Sequence, residues 1–260
     1  MEIEFYKYQG TGNDFVMLDN RKGVYDQLTL NQIQLLCDRK FGVGADGLIK
    51  IDASTEVDFT MDYYNSDGSK SFCGNGARCS LAFFSFLEKN KKNDFSFKAI
   101  DGIHEGQVKD LVSLRMADVE GINLYSDSYC LNTGSPHYVS FVTSVNNLNV
   151  YDLGRTVRYS EKYFEKGINV NFVEEKDSDV LFVRTYERGV EDETLSCGTG
   201  VTASALSYFL SKGKIEHCSA DIQTLGGNLK VEAVHKGEGI FSSIKLIGPA
   251  KLVFKGEINV

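Results

Sequence analysis

Residues 73–76 read Cys-Gly-Asn-Gly, and residues 197–200 read Cys-Gly-Thr-Gly. Each of these two cysteine turns runs directly into a segment whose apolar residues have the spacing of a buried helix face. A strand-like V-x-F-x-x-x-Y pattern precedes each turn, at residues 57–63 and again at 180–186. The order of strand, polar loop, cysteine turn and buried helix therefore occurs twice, with one more residue in the second loop.

The repeat predicts a duplicated chain of two domains. Chance similarity between two apolar strands and two helices is the alternative, but a four-part match in constant order favours duplication. We place the first domain at residues 1–117 together with 250–260, and the second at residues 118–249. Cys73 would then lie in the first domain and Cys197 in the second. A chain of 260 residues is long enough to form two such cores.

Short alternating segments rich in Val, Ile, Phe and Tyr predict that most of the regular structure is strand. Convincing helices are few: one at residues 30–40, with Thr29 as its N-cap, and one after each cysteine turn. The predicted strands are residues 3–8, 15–18, 57–63, 138–143, 180–186, 228–234, 241–246 and a last strand at 251–260. Many strands with few helices are typical of an α+β fold.

The composition argues against several classes of partner. The net charge is −8 and no face rich in Lys or Arg is apparent, so neither nucleic acid nor an anionic membrane is expected. No apolar run approaches the roughly 18 residues of a spanning helix, and no signal-peptide pattern is present, so we expect a cytoplasmic protein. The six cysteines include no Cys-x-x-Cys pair and the four histidines are far apart in sequence, so no metal site is expected.

A cysteine at the start of a helix is suited to acid/base chemistry. The first turn of a helix presents unpaired N–H groups and a partial positive charge, which lower the pKa of a thiol from about 8.5 and can bind a carboxylate. Two such turns facing one substrate would place a thiolate and a thiol on opposite sides of the carbon beside that carboxylate. One sulfur would remove a proton while the other delivers one, which inverts the stereocentre. This chemistry would act on an amino acid without a cofactor such as pyridoxal phosphate.

Two further features are given no catalytic role. Residues 42–47 match G-x-G-x-x-G, but a helix-like segment precedes them and a strand follows, the reverse of a dinucleotide-binding motif. Nucleotide binding is therefore not predicted. The cysteines outside the two turns are expected to be ordinary buried thiols; they are Cys37, Cys79, Cys130 and Cys218.

Taken together, these features resemble the diaminopimelate epimerase family, cofactor-independent enzymes of lysine and peptidoglycan precursor synthesis. The resemblance covers nearly the whole chain, and the ordered set of motifs is specific although no single motif is. The motifs are Gly10-Thr-Gly-Asn-Asp-Phe15, Phe41-Gly-Val-Gly-Ala-Asp-Gly47, Asn65-Ser-Asp-Gly-Ser69, Cys73-Gly-Asn-Gly-x-Arg-Cys79, Gly134-Ser-Pro-His137, Glu187-Arg-Gly189 and Cys197-Gly-Thr-Gly200. The family implies two pseudo-symmetric domains, each a β-barrel-like antiparallel or mixed sheet around a central helix, and often a homodimer.

The resemblance also implies a role for each site residue, with a small amino acid as the only ligand. The acid/base residues that interconvert LL- and meso-diaminopimelate at the α-carbon would be Cys73 and Cys197. The ligands of the distal amino and carboxylate groups would be Asn13, Asn65, Asn169 and Arg188. The residues that present N–H groups, and one hydroxyl, to the reacting carboxylate would be Gly74, Asn75, Gly198 and Thr199. The residues that orient or bind the α-amino group would be His137 and Glu187.

The chain departs from the family pattern at three places. Ser135 stands where the family commonly has asparagine, and the shorter serine has less reach to a distal ligand group. Gly47 stands where some members have glutamine, so that contact is missing or is made by backbone. The loop at residues 190–193 is one residue longer than in many relatives. None of these departures removes a chemical role from the two cysteines.

Three other functions fit parts of the pattern. A proline or hydroxyproline racemase would share the two-domain plan but would lack residues for a distal charged group. A redox protein would join Cys73 and Cys197 in a switchable disulfide and would not need a glycine turn after both. A binding protein would keep the same site without using the sulfur atoms chemically. Asn13, Asn65 and Arg188 favour a long substrate with charge at its far end, although both asparagines also fit ordinary turns.

Overall fold

The computed structural model describes residues 1–89, 91–125 and 127–260, and the chain divides into two compact units. Unit 1 comprises Met1–Leu114 and Gly248–Val260. Unit 2 comprises Arg115–Ile247. Across the described ranges, no helix combines the length and the hydropathy that crossing a membrane requires.

Strands outnumber helices in both units. The helices are α1 (Leu30–Cys37), α2 (Gly74–Leu87), α3 (Val150–Arg158) and α4 (Gly198–Ser211). The strands are β1 (Glu2–Gly10), β2 (Asn13–Asp19), β3 (Gly47–Asp52), β4 (Phe59–Asn65), β5 (Asp94–Ala99), β6 (Gly102–Val108), β7 (Val112–Arg115), β8 (Val119–Glu120), β9 (Asn123–Leu124), β10 (Ser128–Asn132), β11 (Pro136–Phe141), β12 (Asn169–Asp177), β13 (Val180–Glu187), β14 (Asp192–Thr194), β15 (Glu216–Thr224), β16 (Gly227–His235), β17 (Ile240–Gly248) and β18 (Lys251–Asn259).

Unit 1 is a mixed sheet around one buried helix. β1 pairs antiparallel with β2, β2 runs parallel to β3, and β3 pairs antiparallel with β4. β4 then runs parallel to β5, β5 pairs antiparallel with β6, and the C-terminal strand β18 pairs with β1. α2 packs against β1 to β4 and β6, and the ring of Phe84 on α2 stacks on Phe59 of β4 at 4.6 Å. The helix therefore forms the centre of this unit's core.

Unit 2 has the same construction. β10 pairs antiparallel with β11, β11 runs parallel to β12, and β12 pairs antiparallel with β13. β13 runs parallel to β15, and β15, β16 and β17 follow as antiparallel neighbours. α4 packs against β10 to β13, β15 and β16. Its first three turns are buried on nearly every side, which explains why apolar and small residues occupy all its faces.

The two units repeat one order of elements. Unit 1 runs β1, β2, α1, β3, β4, α2, β5, β6, and unit 2 runs β10, β11, α3, β12, β13, α4, β15, β16, with the short β14 inserted after β13. The parallel pairs correspond as well, since β2–β3 matches β11–β12 and β4–β5 matches β13–β15. The predicted α+β fold, with a central helix in each of two similar sheets, is confirmed.

The first helix shows where local sequence signals succeed and where they fail. The predicted N-cap is confirmed, because Thr29 and Gln32 exchange hydrogen bonds in a capping box. The helix ends at Cys37 rather than at residue 40, because the carboxylate of Asp38 accepts the N–H groups of the next turn. Residues 42–47 then connect α1 to β3, so the glycine-rich segment follows a helix and opens a strand.

α3 is missed by the sequence analysis, although its Val150, Leu153 and Val157 follow the spacing of one helix face. Of its residues, only Val150 and Gly154 are buried. Gly154 lies so close to β13 that a Cβ at this position would be 2.3 Å from the Cβ of Tyr186. The missing side chain is therefore what allows α3 to pack on the sheet.

Gly154→Ala is expected to destabilise unit 2. The added methyl group must displace Tyr186, a side chain with no exposed surface, and overpacking of this kind costs about 1–3 kcal/mol. Denaturant unfolding followed by circular dichroism measures the loss. The control is Thr156→Ala on the exposed side of the same helix, which should change the free energy of unfolding by less than about 0.5 kcal/mol. A wild-type value for Gly154→Ala would contradict this packing explanation.

Candidate active site

The Cys73 turn, residues 73–76, is the start of α2. Cys73 is the N-cap residue, with extended backbone angles (φ −133°, ψ 116°), and its Sγ accepts the N–H of Gly76 at 3.5 Å. Gly74 and Asn75 are buried in the first helical turn. The sulfur therefore lies at the positive end of the helix dipole, where a thiolate is stabilised.

Asn13, the first residue of β2, lies beside this sulfur. Its Oδ1 lies 3.4 Å from Cys73 Sγ and 3.4 Å from Asn75 Nδ2, which donates to it. Its Nδ2 donates to the carboxylate of Asp46 at 2.6 Å, so the orientation of the amide is fixed by a partner on each side. The structure thus brings together three predicted site residues, Asn13, Cys73 and Asn75. Asp46 is a positioning partner that the sequence analysis did not identify.

Asn65 braces the loop that leads to the Cys73 turn. Its Nδ2 donates to Ser69 Oγ at 3.0 Å and to Ser71 Oγ at 3.1 Å, and its Oδ1 accepts from Tyr63 at 2.8 Å. The turn role considered for this residue is therefore present in the structure. Its role as a substrate ligand stays a prediction.

The Cys197 turn, residues 197–200, repeats this construction at the start of α4. Cys197 is again the N-cap residue with extended backbone angles (φ −110°, ψ 111°), and only 7% of its surface is exposed. Its Sγ lies 3.5 Å from Thr199 Oγ1, and its carbonyl accepts the N–H of Val201. Thr199 is therefore within reach of the sulfur, and its predicted role at the reacting carboxylate stays a prediction.

The last glycine of each turn is closely packed. A Cβ on Gly200 would lie 2.3 Å from Asn171 Oδ1, and a Cβ on Gly76 would lie 3.1 Å from the side chain of Ile49. A side chain at position 200 would therefore displace Asn171, whereas one at position 76 would require Ile49 to shift by a few tenths of an ångström. This gives a physical reason for the repeated Cys-Gly-x-Gly pattern, in addition to the turn flexibility inferred from the sequence.

The ring of His137 is hydrogen-bonded to the hydroxyl of Thr199. Asn171 donates from Nδ2 to His137 Nδ1 at 3.0 Å, and its Oδ1 accepts from Thr185, which fixes the amide orientation. Since His137 Nδ1 accepts, the ring proton lies on Nε2, which donates to Thr199 Oγ1 at 2.9 Å. The hydroxyl of Thr199 is then free to donate towards Cys197 or a bound carboxylate.

The His137 ring is neutral near neutral pH. It has no exposed surface, and burial together with the nearby charge of Arg188 lowers the pKa of His137 from 6.5 to about 3. A neutral ring can position the Thr199 hydroxyl but cannot supply a positive charge to a carboxylate. The predicted supporting residue therefore contributes a hydrogen bond rather than an ion pair.

Acidification is expected to destabilise the protein through His137. Between its folded pKa of about 3 and its unfolded value of 6.5, the unfolded chain binds a proton at this site and the folded chain does not. The free energy of unfolding therefore falls as the pH decreases from 6.5 towards 3. In denaturant unfolding, His137→Gln should reduce this slope by up to about 1.4 kcal/mol per pH unit. An identical slope in the variant would show that the histidine is not held neutral.

Asn169, Ser135 and Arg188 form one network in unit 2. Asn169 Nδ2 donates to Ser135 Oγ at 2.9 Å, and its Oδ1 accepts the N–H of Arg188 at 2.9 Å. The Arg188 guanidinium donates to Ser135 Oγ at 3.2 Å and to the carbonyl of Lys166 at 2.9 Å. Ser135, one of the three departures from the family pattern, thus positions two predicted site residues, Asn169 and Arg188.

Glu187 lies at the end of β13, next to the inserted hairpin. Its Oε2 accepts the Thr194 hydroxyl at 2.8 Å, and β14 pairs antiparallel with the end of β13. The turn after β13 contains Gly189 and Glu191, both with positive φ (94° and 57°). It leads into β14 and on to the Cys197 turn.

The sequence analysis missed the residues that position the predicted site side chains by hydrogen bonds. Asn171 is one of them, and its signal was available: it lies two residues after Asn169 in a valine-rich strand, so both side chains are on one face.

The four cysteines outside the two turns are buried, as the sequence analysis predicted. All six cysteines lie in the described ranges and none forms a disulfide. Within those ranges, no three His, Cys, Asp or Glu side chains are grouped closely enough to hold a metal ion.

Comparisons with known proteins relate the sequence of this chain to one family. A family model described as diaminopimelate epimerase matches residues 5–118 and 129–253. A diaminopimelate epimerase of Flavobacterium psychrophilum is 46% identical over 259 residues, which cover 98% of this chain and all of the relative. Another, of Chlorobaculum tepidum, is 35% identical and covers 96% of this chain and 99% of the relative.

Solved structures with low sequence identity share the fold. A PhzF-family phenazine biosynthesis protein of Bacillus anthracis has a TM-score of 0.77 at 15% identity, with full coverage of both chains. A hydroxyproline epimerase of Agrobacterium vitis has a TM-score of 0.68 at 12% identity, covering 99% of this chain and 92% of that one. At these identities, the similarity establishes the fold alone.

Proposed function

Because this chain belongs to the diaminopimelate epimerase family and is an enzyme of the epimerase class, we propose that it interconverts LL- and meso-diaminopimelate. The observation that carries the proposal is the duplicated helix start, since Cys73 and Cys197 are the N-cap residues of two buried helices. The reaction would serve lysine and peptidoglycan precursor synthesis. A cytoplasmic location and a homodimer stay predictions that belong to the same proposal.

The proposed reaction uses both sulfur atoms at one α-carbon. A thiolate takes the α-proton, so the C–H bond breaks, an S–H bond forms, and the electron pair passes into the carbanion beside the carboxylate. The thiol of the other cysteine then gives its proton to the opposite face of that carbon. No group is oxidised or reduced, and the two cysteines exchange protonation states in each turnover.

The charge that develops in this reaction needs stabilisation from the protein. N–H groups of the two first turns would bind the reacting carboxylate as its negative charge increases, and Thr199 would add its hydroxyl. The residues proposed for this role are Gly74, Asn75, Gly198 and Thr199. These donors would take the place of the electron sink that a pyridoxal cofactor supplies in other racemases. No pyridoxal cofactor is therefore proposed for this protein.

The remaining polar residues would select the substrate. Arg188 offers a planar guanidinium to the distal carboxylate, and Asn13, Asn65 and Asn169 offer amides to the distal amino and carboxylate groups. Glu187 would accept a hydrogen bond from the α-ammonium group, with His137 holding Thr199 nearby. These assignments follow the family resemblance, position by position.

A substrate comparison tests the proposal. Purified protein, without added cofactor and with a thiol reductant, should form the meso isomer from LL-diaminopimelate, whereas L-proline should not be racemised. Activity on L-proline alone would favour the racemase alternative. Activation by an oxidant, instead of inactivation, would favour the redox alternative. Binding of diaminopimelate with no change of configuration would favour the binding-protein alternative.

A further inference from the structure

A histidine outside the assigned site belongs to a row of stacked rings in unit 1. The imidazole of His104, on β6, stacks on Phe72 with ring centroids 4.3 Å apart and planes inclined by 6°. It also stacks on Phe97 of β5, its cross-strand partner, at 5.2 Å and 20°. Phe72 immediately precedes Cys73, the N-cap residue of α2. The residue before the Cys73 turn is therefore held by a ring on the sheet.

The row of rings continues into the core of unit 1. Phe97 stacks on Phe59 of β4 at 5.2 Å, and Phe59 stacks on Phe84 of α2 at 4.6 Å. Phe59 and Phe97 have no exposed surface. Stacked aromatic pairs are stabilised beyond the area that they bury. The row therefore anchors His104 to the core that packs around α2, the helix whose N-cap is Cys73.

The carboxylate of Asp101 fixes the orientation of the His104 ring. Asp101 lies in the turn between β5 and β6, and its Oδ1 is 2.8 Å from His104 Nε2. An ionised carboxylate can only accept, so Nε2 carries a proton and donates it to this bond. The hydrogen bond is made at the edge of the ring, which leaves the ring faces available for stacking.

The loop that leads to Phe72 has room to move. A cavity of about 260 Å³ is lined by Lys70 and Ser71 of this loop and by residues 98–100 of the β5–β6 hairpin, among others. The loop is therefore not packed tightly against the hairpin on this side. The stack of Phe72 on His104 supplies a direct contact between the loop and the hairpin.

In unit 2, the corresponding hairpin holds its cysteine turn by a backbone hydrogen bond. Gly226, in the turn between β15 and β16, donates its N–H to the Leu195 carbonyl at 2.8 Å. Leu195 lies two residues before Cys197. In both units, the hairpin after the central helix thus contacts the segment before the cysteine turn. A ring stack in unit 1 takes the place of the backbone bond in unit 2.

The side chains at the corresponding sheet positions differ as well. Counted from the hairpin turns, the cross-strand pair Phe97 and His104 of unit 1 corresponds to Ile222 and Leu229 of unit 2. Both residues of unit 2 are aliphatic and buried. Leucine therefore suits this sheet position. The imidazole of His104 is explained by a contact that leucine could not make, the flat stack on Phe72.

We propose that His104 is a positioning residue for Cys73. Asp101 orients its ring, and Phe97 anchors the ring to the core. The ring stacks on Phe72 and so fixes how the chain enters the Cys73 turn. The assignment deepens the proposed function and rests on Cys73 as one of its acid/base residues. Proton transfer requires the two groups to be held within hydrogen-bond range, so a small displacement of the Cys73 sulfur slows it strongly.

The first test compares two substitutions at position 104. His104→Leu copies the aliphatic side chain of Leu229, and His104→Phe keeps a flat ring. With LL-diaminopimelate, His104→Leu should lower kcat about 10-fold and change KM by less than about twofold, because Arg188, the proposed ligand of the distal carboxylate, is in unit 2. His104→Phe should keep kcat within about threefold of the wild-type value, because the stack is preserved.

Alkylation gives a second readout that needs no substrate. Iodoacetamide at fixed pH, followed by peptide mass spectrometry, reports Cys73 and Cys197 separately. Loss of the stack should let the loop move into the adjacent cavity and expose the sulfur, so the rate at Cys73 should rise at least about threefold in His104→Leu. The rate at Cys197 should stay at its wild-type value in every variant. His104→Phe should return the Cys73 rate towards the wild-type value.

A double-mutant cycle shows whether His104 acts through Phe72. Phe72→Leu removes the other ring of the stack and should have the same effects as His104→Leu. The double variant should be no worse than either single variant, because both substitutions remove one contact. Ile103→Thr is the matched control, because Ile103 is 63% exposed on the same strand, and it should change neither measurement.

Circular dichroism identifies the variants that fold. If His104→Leu does not fold, Phe72→Leu and His104→Phe decide, with faster alkylation of Cys73 expected in the first and not in the second. An unchanged Cys73 alkylation rate or an unchanged kcat in a folded leucine variant would overturn the proposal, and so would effects that multiply in the double variant. A wild-type protein without epimerase activity would instead overturn the proposed function, and the alkylation measurements would still test the contact between His104 and Phe72.

Discussion

Cys73→Ala and Cys197→Ala are each expected to lower the rate of epimerisation by about 10⁴-fold, the upper end of what one acid/base group contributes. Inversion needs a proton acceptor on one face of the α-carbon and a donor on the other, so neither cysteine can replace its partner. Chromatographic separation of LL- and meso-diaminopimelate measures the loss directly. The fold should survive, because each substitution removes only one sulfur atom at a helix start.

Two buried cysteines provide matched controls for this experiment. Cys37 in unit 1 and Cys218 in unit 2 are buried outside the two turns, and burial raises the pKa of both thiols. Cys37→Ala and Cys218→Ala should therefore retain wild-type turnover, at some cost in stability from the lost packing. Wild-type turnover in folded Cys73→Ala or Cys197→Ala would contradict the two-base mechanism.

Arg188→Met is expected to lower kcat/KM by about 10²–10³-fold, mainly through a higher KM. The guanidinium is held by Ser135 and by the Lys166 carbonyl, so it is oriented before any ligand arrives. Loss of a charge-assisted, bidentate contact with a carboxylate removes about 3–4 kcal/mol of binding. Steady-state kinetics with LL-diaminopimelate separate the effects on KM and kcat.

Two further arginine variants show whether the effect comes from carboxylate recognition. Arg188→Lys keeps the charge but loses the planar fork, so it should recover only part of kcat/KM. Arg155→Met removes an exposed arginine of α3 in the same unit and should leave the kinetics unchanged. An unchanged KM in Arg188→Met would contradict the assignment of this residue to the distal carboxylate and would favour a smaller substrate.

Much of the fold and the two helix starts could be predicted because their signals are local. Cysteine followed by Gly-x-Gly identifies a helix start within a few residues of sequence, and both N-caps are where this pattern predicts them. Strands such as β4 and β16 bury alternate residues, so their sequences show the period of two. Because the chain is duplicated, its two halves could be compared with each other, and the shared pattern identified both helix starts.

The residues that position the site could not be predicted, because their roles depend on contacts between distant segments. Arg78 looks like an ordinary polar residue of an amphipathic helix until its burial against Asn75 and Thr11 is known. Asp46 lies 33 residues from Asn13 in sequence, yet its carboxylate fixes the Asn13 amide. α3 is only nine residues long, and the close approach of its Gly154 to the sheet depends on a contact with Tyr186 that the helix sequence does not show.

The fate of the α-proton tests the two-base mechanism most directly. Wild-type protein is incubated with LL-diaminopimelate in D₂O, and deuterium at the α-carbon is measured by mass spectrometry at low conversion. Because one sulfur takes the proton and the other delivers a solvent-derived deuteron, the meso product should carry one deuterium while the recovered LL isomer carries none. A meso product that retains the original proton would mean that a single group moves it between faces, and the two-cysteine account would be wrong.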